Sequence, residues 1–242
     1  MSSDVQMTAS VIKGRLRKFA DKEKAAVLRG FFKTGPGQYG EGDLFLGVVV
    51  PNVRKVAGEC RSAPLGEITQ LLPSSWHEER LLALLMLVDR FEAGDDGLKK
   101  KIYKLYLRNT RYINNWDLVD LTAPNIAGTY LKDKSRKQLY SFARSKDLWK
   151  RRIAILATFA FIRRNDFADT LGISELLLAD GHDLMHKAVG WMLREVGKRS
   201  LSAEEKFLKR HYKTMPRTML RYAIERFPEA KRQKYLKGSM QY

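Results

Sequence analysis

Apolar residues recur at three- and four-residue intervals through most of the chain, as they do along one face of an α-helix. Three such faces are listed here: Leu81, Leu84, Leu85 and Val88; Ile153, Leu156, Ala157 and Ala160; and Val189, Met192 and Val196. Signals for β-strands are nearly absent. One β-rich run covers residues 44–50, and the segment that begins at Pro51 is more typical of a helix start. The pattern therefore predicts an all-α fold.

Breaks in this periodicity mark the ends of the predicted helices. They fall at residues 94–97, near Gly172, at residues 180–181 and around residues 201–203. The stretches between the breaks correspond to helices of about 12 to 17 residues.

The helices also recur at a nearly constant interval. The polar residues that open successive inward-facing helices are Arg80, Trp116, Arg152, Lys187 and Thr218, at spacings of 36, 36, 35 and 31. A two-helix repeat of this length cannot bury its apolar face alone, so neighbouring repeats are expected to stack into a curved solenoid. We predict a right-handed superhelix of HEAT-like, armadillo-type repeats. An ordinary helical bundle is the alternative.

This stack is expected to form one domain over residues 1–242. Chain ends that nothing ties down are commonly flexible, and we expect this of about residues 1–8 and 236–242. A solenoid also offers a concave face on which charge can be concentrated.

Positive charge distinguishes this chain from an average globular protein. It carries 45 Lys and Arg against 27 Asp and Glu, a net charge of +18, of which +14 falls in residues 121–242. Such an excess favours a polyanionic partner, nucleic acid above all, with an acidic membrane surface as the weaker option. We therefore expect the concave face to be basic, mostly in the C-terminal half.

Compartment signals are consistent with the cytoplasm. The longest apolar run, residues 153–162, is about half the length that a membrane helix needs. No basic segment leads into an apolar core at the N-terminus, so no secretory signal is predicted. The single cysteine, Cys60, cannot form an internal disulfide and is expected in the core. We expect a cytoplasmic protein, at the nucleoid when bound to DNA, without membrane contact.

Two motifs match ligand-binding spacings but lack the required context. Residues 35–42 have the Gly-x-Gly-x-x-Gly spacing, yet they do not follow a strand and are expected to form a surface loop with Tyr39 at its tip. His182 and His186 are four residues apart, but no further ligands accompany them, so no metal site is predicted. No Gly-x-Ser-x-Gly motif is present, and Ser or Cys hydrolase chemistry is unsupported.

The stretch from Asn114 to Asp120 is the strongest candidate for chemistry. Trp116 and Asp120 are one helical turn apart and project from the same side. A carboxylate repels phosphate, so its presence on a DNA-binding face needs a reason. Asp120 is either a chemical group or the structural ion-pair partner of an arginine, with Trp116 in the core. Spacing alone leaves both interpretations open.

Two later helices supply neighbours for such a site. Arg152 occupies the register position of Trp116 one repeat on, and Lys187, Trp191 and Arg194 form a stripe along one helix. Basic side chains on this stripe can contact phosphates, and an indole can pack on sugar or beside a cation. The alternative is that the tryptophans are core contacts and the basic residues a solvated edge.

These residues are similar to those of a known family. The chain resembles the bacterial DNA alkylation repair proteins of the AlkD type, HEAT-like alkylpurine DNA glycosylases, over residues 26–226. The residues that carry the resemblance are Phe45, Leu46, Gly47, Pro51 and Arg54; Trp116, Asp117, Val119, Asp120, Pro124 and Gly128; Arg152, Ala154, Ile155 and Leu156; and Lys187, Ala188, Gly190, Trp191, Leu193, Arg194 and Glu195.

The resemblance implies roles for four of these residues. Asp120 corresponds to the catalytic carboxylate, Trp116 and Trp191 lie beside the sugar and backbone of the lesion, and Arg152 contacts the DNA backbone. Where the family has an N-terminal tyrosine, this chain has Phe31 and Phe32. Further DNA contacts are expected from Lys187, Arg194, Arg151, Lys150, Phe31 and Tyr39.

The activity implied is that of a monofunctional glycosylase. It hydrolyses the N-glycosidic bond of N3- or N7-alkylated purines in duplex DNA, leaves an abasic site and keeps the base stacked in the helix. The expected enzyme is a monomer that needs no metal or cofactor. The competing hypothesis is a non-catalytic module that binds damaged, bent or branched DNA, or RNA, by charge and shape.

Overall fold

A computed structural model describes residues 7–240 of the chain. Within this range it contains sixteen α-helices: α1 (Ala9–Arg17), α2 (Lys22–Phe31), α3 (Val50–Glu59), α4 (Leu65–Thr69), α5 (His77–Ala93), α6 (Asp96–Arg108), α7 (Trp116–Asp120), α8 (Thr129–Leu131), α9 (Lys137–Ala143), α10 (Leu148–Ala157), α11 (Phe159–Ile162), α12 (Ala168–Leu176), α13 (Asp183–Arg199), α14 (Leu201–His211), α15 (Arg217–Ala223) and α16 (Glu229–Lys237).

The all-α prediction is confirmed. The described residues form no β-strand, although Leu44 and Trp76 form an isolated parallel β-bridge. Short 3₁₀ turns (Thr110–Tyr112, Ile224–Arg226) and a π-helical segment (Pro124–Gly128) add to the helical content.

Several predicted helix boundaries are confirmed and two are wrong. Pro51 lies in the first turn of α3, and α5 and α6 are separated at residues 94–95. Gly172, in contrast, lies inside α12, where a missing side chain makes room for the Tyr140 hydroxyl. The break expected around residues 201–203 lies at Ser200, whose hydroxyl caps α14.

The predicted helix lengths hold for α5, α6 and α13 but not for most of the others. Helices as short as α7 and α11 occur because side chains compete for backbone groups. The Thr158 hydroxyl, for example, donates to the Ile155 carbonyl between α10 and α11.

The chain divides into two compact units, an N-terminal unit (Met1–Thr122) and a C-terminal unit (Ala123–Tyr242). A continuous right-handed stack over residues 1–242 with a basic concave face remains a prediction. Of the chain ends expected to be flexible, residues 1–6 and 241–242 lie outside the described residues. Thr8 caps α1, and α16 ends at Lys237.

The first turn of α5 organises the N-terminal unit. Its four residues, His77, Glu78, Glu79 and Arg80, are all buried although all are polar or charged. Glu78 accepts hydrogen bonds from the backbone amides of residues 46, 47 and 48 at 2.8–3.1 Å. Because this carboxylate satisfies those three amides, they need no partner strand.

Glu79 connects the same turn to α1. Its carboxylate receives hydrogen bonds from Arg17 and from the Ser74 hydroxyl, and Lys13 lies 3.4 Å away. Buried charges are tolerated when they are paired and hydrogen-bonded in this way. The turn therefore fixes α1, the 43–48 segment and α5 to one another.

The C-terminal unit is built around the 17-residue helix α13, which packs against α10, α14 and α15. Gly190 permits the closest approach. A side chain at this position would meet the Met219 carbonyl of α15 and lie 2.6 Å from Tyr222 Cβ. Of the second helix face predicted from the sequence, Ile153, Leu156 and Ala157 are buried in α10, whereas Ala160 lies in α11 and is partly exposed.

Candidate functional site

Helix α7 presents an indole at its first residue and a carboxylate at its last. Trp116 and Asp120 are partly exposed, whereas the three residues between them, Asp117, Leu118 and Val119, are buried. The helix begins at Trp116 because the Asn115 side chain accepts a hydrogen bond from its backbone N–H at 2.9 Å. The i, i+4 arrangement expected from the sequence is thus present on one short helix.

An aromatic cluster fixes the Trp116 indole. Phe32 is stacked on Trp116 with ring centroids 5.2 Å apart and 16° between planes, and it also contacts Phe45 and His77 at 5.0 and 4.8 Å. Phe31 meets Trp116 edge-on at 5.8 Å. The indole therefore contacts one buried ring and one exposed ring, since Phe32 is 7% and Phe31 61% exposed.

Charged side chains are buried beneath α7. His77 Nε2 lies 2.8 Å from Asp117 Oδ2, and its Nδ1 lies 3.2 Å from Asp43 Oδ2. Arg80 donates to the other oxygen of Asp43 at 2.7 Å, and Asn115 donates to Oδ2 at 3.3 Å. Two basic and two acidic groups thus balance one another beneath the aromatic cluster.

This arrangement favours the charged form of His77. Burial opposes the charge, but the carboxylates of Asp117 and Asp43 outweigh it and raise the pKa of the imidazole to about 9. Burial also opposes ionisation of Asp43, yet His77, Arg80 and Asn115 hold the pKa of its carboxyl below the usual range. His77 is therefore an imidazolium at neutral pH.

A chain of hydroxyls fixes the other end of α7. The buried Tyr106 hydroxyl donates to Thr122 Oγ1 at 3.0 Å, and the Thr122 hydroxyl donates to the Leu118 carbonyl at 2.5 Å. Burial raises the pKa of Tyr106, and the negative charge of nearby Asp120 adds to this effect. The Asp120 carboxylate is thus near enough to α6 for its charge to act on the Tyr106 hydroxyl.

The C-terminal unit places its predicted site residues on α10 and α13. Arg152 is buried in α10 and donates to the Leu184 carbonyl of α13 at 2.6 Å. Lys150 is partly exposed at the start of α10. Arg151 donates to Asp180 at 2.6 Å and to the carbonyls of Ser145 and Lys146. The Arg151 guanidinium thus connects α10 to the segment that precedes α13.

The stripe predicted along α13 is present, and acidic residues accompany each of its members. Lys187 lies 2.7 Å from Asp183, one turn earlier. The Trp191 indole N–H donates to Glu195 at 3.1 Å, and its ring centroid lies 6.1 Å from that of Phe159. Arg194 forms an ion pair with Glu225. All three stripe residues are partly exposed.

A family model for "DNA alkylation repair enzyme" matches residues 12–227, nearly the whole chain. The chain belongs to the DNA alkylation repair enzyme family. A solved structure described as a predicted DNA alkylation repair enzyme from Enterococcus faecalis is similar in fold, with a TM-score of 0.66 over 87% of this chain and 97% of that one. Its sequence identity of 14% supports the shared fold alone. No curated relative matches the chain.

The remaining candidates from the sequence, in the 35–42 loop, the histidine pair and the single cysteine, each have a structural contact or a buried position. Tyr39 lies in the 35–42 loop and its hydroxyl contacts the Phe31 carbonyl at 3.5 Å. His182 caps α13, His186 contacts the Asp180 carbonyl, and Cys60 is buried. Residues 7–240 contain no cluster of metal-ligand type. Within the described residues, no helix combines the length and the apolar character that spanning a membrane requires.

The sequence analysis did not predict the buried polar groups that hold α7 in place. Asp43, His77 and Asn115 lie 34 to 72 residues apart in sequence, so no local spacing relates them. One signal was visible: four consecutive polar residues, 77–80, precede a run of eight apolar residues, 81–88. A fully polar first turn on an otherwise apolar helix indicates buried polar contacts.

Proposed function

We propose that this protein is a DNA glycosylase that hydrolyses the N-glycosidic bond of N3- or N7-alkylated purines in duplex DNA. The observation that carries this proposal is the exposure pattern of α7. Its two outward-facing residues are Trp116 and Asp120, an aromatic surface and a carboxylate one turn apart. A helix that served only for packing in a chain of net charge +18 has no need to present this pair.

The chemistry of an alkylated purine suits a carboxylate at this position. Alkylation at N3 or N7 gives the base a positive charge and weakens its glycosidic bond, so departure of the base needs little assistance. The bond breaks with both electrons going to the purine, which leaves an oxocarbenium-like sugar. Asp120 stabilises that positive charge and orients the attacking water, as carboxylates do in glycoside hydrolysis. Water supplies the hydroxyl of the abasic product.

The aromatic and basic residues are assigned to binding. Trp116 and Trp191 pack against the sugar and backbone beside the lesion, while Lys187 acts on the phosphate backbone. Arg152 is buried and donates to the Leu184 carbonyl, so we assign it to holding α10 against α13 rather than to DNA. The base stays stacked, and no lysine nucleophile is involved, so the enzyme is monofunctional. Neither a metal nor a cofactor is given a role. The proposed partner is double-stranded DNA, bound by a protein monomer.

Two other predicted contacts are assigned differently. The Arg151 guanidinium already has Asp180 and two carbonyls as acceptors, so we assign it to the packing of α10 rather than to DNA. Phe31 has no hydroxyl to offer a phosphate, and its exposed ring is assigned to apolar contact with the sugar edge. Lys150, Arg194 and Tyr39 remain proposed DNA contacts.

The deciding experiment measures release of free base from duplex DNA that contains N7-methylguanine, under single-turnover conditions at low salt. We expect Asp120→Asn to lower the excision rate by about 10²-fold or more, as does removal of one preorganised electrostatic group elsewhere, while DNA binding persists. Asp133→Asn, which neutralises an exposed aspartate paired with Arg164, is the matched control and should excise normally.

Other outcomes assign the protein to a different class. Equal loss of binding and excision in Asp120→Asn identifies Asp120 as a structural residue. Tight binding by the wild type without release above the spontaneous rate, on N3-methyladenine as well as N7-methylguanine, identifies a non-catalytic binder of damaged DNA.

A further inference from the structure

Helix α7 is too short to hold its own position. A five-residue helix has little intrinsic stability, because nucleation costs more than the few hydrogen bonds return. Its orientation must therefore come from contacts made by its ends and its buried face. Those contacts decide where the Trp116 indole and the Asp120 carboxylate point.

His77 contacts this helix by two routes. The first is polar: its Nε2 bonds to Asp117 at 2.8 Å, and its Nδ1 contacts Asp43, which also accepts from the helix-capping residue Asn115. The second is aromatic: the imidazole packs on Phe32 at 4.8 Å, and Phe32 stacks on Trp116. Both routes end at the first two residues of α7 or at its cap, Asn115.

We propose that His77 is a positioning residue for the excision site. Its imidazolium bridges Asp43 and Asp117 and so holds α7, with Trp116 and Asp120, in the orientation that base release requires. This inference rests on the function proposed above and adds a residue that does not itself touch DNA.

The bridge depends on a proton. An imidazolium has two N–H donors and can serve both carboxylates, whereas a neutral imidazole has one donor and turns a lone pair towards the other carboxylate. The charged groups that face the ring are Asp43 from the 43–48 segment, Asp117 from α7 and Arg80 from its own helix. Deprotonation thus removes one of the two bonds and leaves α7 less firmly fixed.

The same turn of α5 supplies a matched control. Glu79 is as deeply buried as His77, but its carboxylate contacts Arg17 and Lys13 of α1 and the Ser74 hydroxyl, and no residue of α7. Glu79→Gln therefore removes a buried charge from the N-terminal unit and leaves the contacts of α7 in place. A general loss of stability affects both variants, and a loss of positioning affects His77→Gln alone.

The first readout is ¹⁹F NMR of the full chain labelled with 5-fluorotryptophan. The chain has four tryptophans, so four signals are expected, and Trp116→Phe assigns one of them. We expect His77→Gln to shift or broaden the Trp116 signal while Trp149 and Trp191 stay unchanged. Glu79→Gln should leave the Trp116 signal where it is in the wild type.

A pH titration of the wild-type protein provides a test that needs no variant. Because the pKa of His77 is raised to about 9, the Trp116 signal should move with a midpoint near pH 9. Trp149 and Trp191 serve as internal references. If His77→Gln does not fold, this titration still decides the matter, since a Trp116 signal that is constant from pH 7 to 10 overturns the proposal.

The second readout separates excision from binding. We expect His77→Gln to lower the single-turnover excision rate by about 10²-fold, the typical effect of displacing a reacting group by about 1 Å. The Kd for duplex DNA should rise by a much smaller factor than the excision rate falls, because Trp116 is only one of the proposed DNA contacts. Adding Asp117→Asn to His77→Gln removes the buried carboxylate that has lost its imidazolium partner, so the double variant should excise no more slowly than His77→Gln alone.

These readouts distinguish the two proposals. A shifted Trp116 signal in a protein whose wild type releases no base leaves His77 positioning α7 and rejects the glycosylase. Normal excision by His77→Gln, or an equal loss of excision in Glu79→Gln, overturns the positioning role while the glycosylase stands.

Discussion

The Phe32 ring lies nearly parallel to the Trp116 indole, with 5.2 Å between ring centroids. The preceding residue, Phe31, meets the same indole edge-on at 5.8 Å. Helix α2 ends at Phe31, which lets two consecutive side chains reach one ring from different directions. One belongs to the core and the other to the surface. The two phenylalanines should therefore contribute differently to stability and to binding.

We predict that Phe32→Ala lowers the free energy of unfolding by about 3 to 5 kcal/mol, because it leaves a cavity between Trp116, Phe45 and His77. Phe31→Ala should change it by less than about 0.5 kcal/mol, since its ring is mostly exposed. Urea unfolding followed by circular dichroism measures both. Equal costs for the two variants would contradict the division into core and surface.

For Phe31 the expected effect is on DNA. Phe31→Ala should weaken duplex binding by a small factor, because it removes the proposed apolar contact. Phe31→Tyr keeps the ring and adds a hydroxyl beside the DNA backbone, so its affinity should equal or exceed that of the wild type. Fluorescence anisotropy with labelled duplex DNA measures this change. Unaltered affinity in both variants would place Phe31 outside the DNA-binding surface.

Local patterns predicted those parts of the fold and site that depend on nearby residues. The i, i+4 relation of Trp116 to Asp120 and the helix start at Pro51 follow from helix geometry and proline chemistry. The family resemblance was carried by the same motifs, and the family match over residues 12–227 confirms membership of the DNA alkylation repair enzyme family.

The parts that could not be predicted depend on contacts between distant residues. Asp43 and His77 are 34 positions apart, and Asp43 and Asn115 are 72 apart. Their pairing is decided by how loops and helices pack, which a periodicity of three or four residues does not encode. The same limitation explains Gly172, which reads as a break in sequence but serves close packing against Tyr140 inside α12.

We predict that Lys187→Ala weakens DNA binding and flattens its salt dependence. A lysine that neutralises one phosphate contributes about 0.9 to the slope of log K against log salt concentration, and loss of its charge removes that contribution. Binding isotherms between 50 and 200 mM salt, roughly the range over which this effect is large, give the slope. A slope equal to that of the wild type would place Lys187 away from the DNA backbone.

The ion pair of Lys187 offers the opposite perturbation. Asp183 lies 2.7 Å from the ammonium group and competes with phosphate for it. Asp183→Asn should therefore strengthen binding, and the gain should disappear when Lys187→Ala is present in the same chain. Additive effects of the two substitutions would mean that Asp183 acts by general charge rather than through Lys187.

Glu204 in α14 is predicted to make stability depend on pH. Burial, reinforced by the neighbouring charge of Glu205, raises the pKa of its carboxyl from 4.5 to about 8. The folded state therefore keeps a proton that the unfolded chain releases, so stability falls as pH rises from about 4.5 and levels off above about 8. Glu204→Gln, which is neutral at every pH, should be more stable than the wild type by on the order of 4 kcal/mol at pH 8.

The pH dependence separates this cause from a packing effect. At pH 4.5 or below the advantage of Glu204→Gln should vanish, because the wild-type side chain is then neutral in both states. Glu175→Gln is the matched control: its side chain is exposed and lies 3.5 Å from His211, so a change of no more than about 0.5 kcal/mol is expected. Thermal unfolding of the three proteins at several pH values provides the comparison. A constant difference between Glu204→Gln and the wild type across that range would assign the effect to packing instead of ionisation.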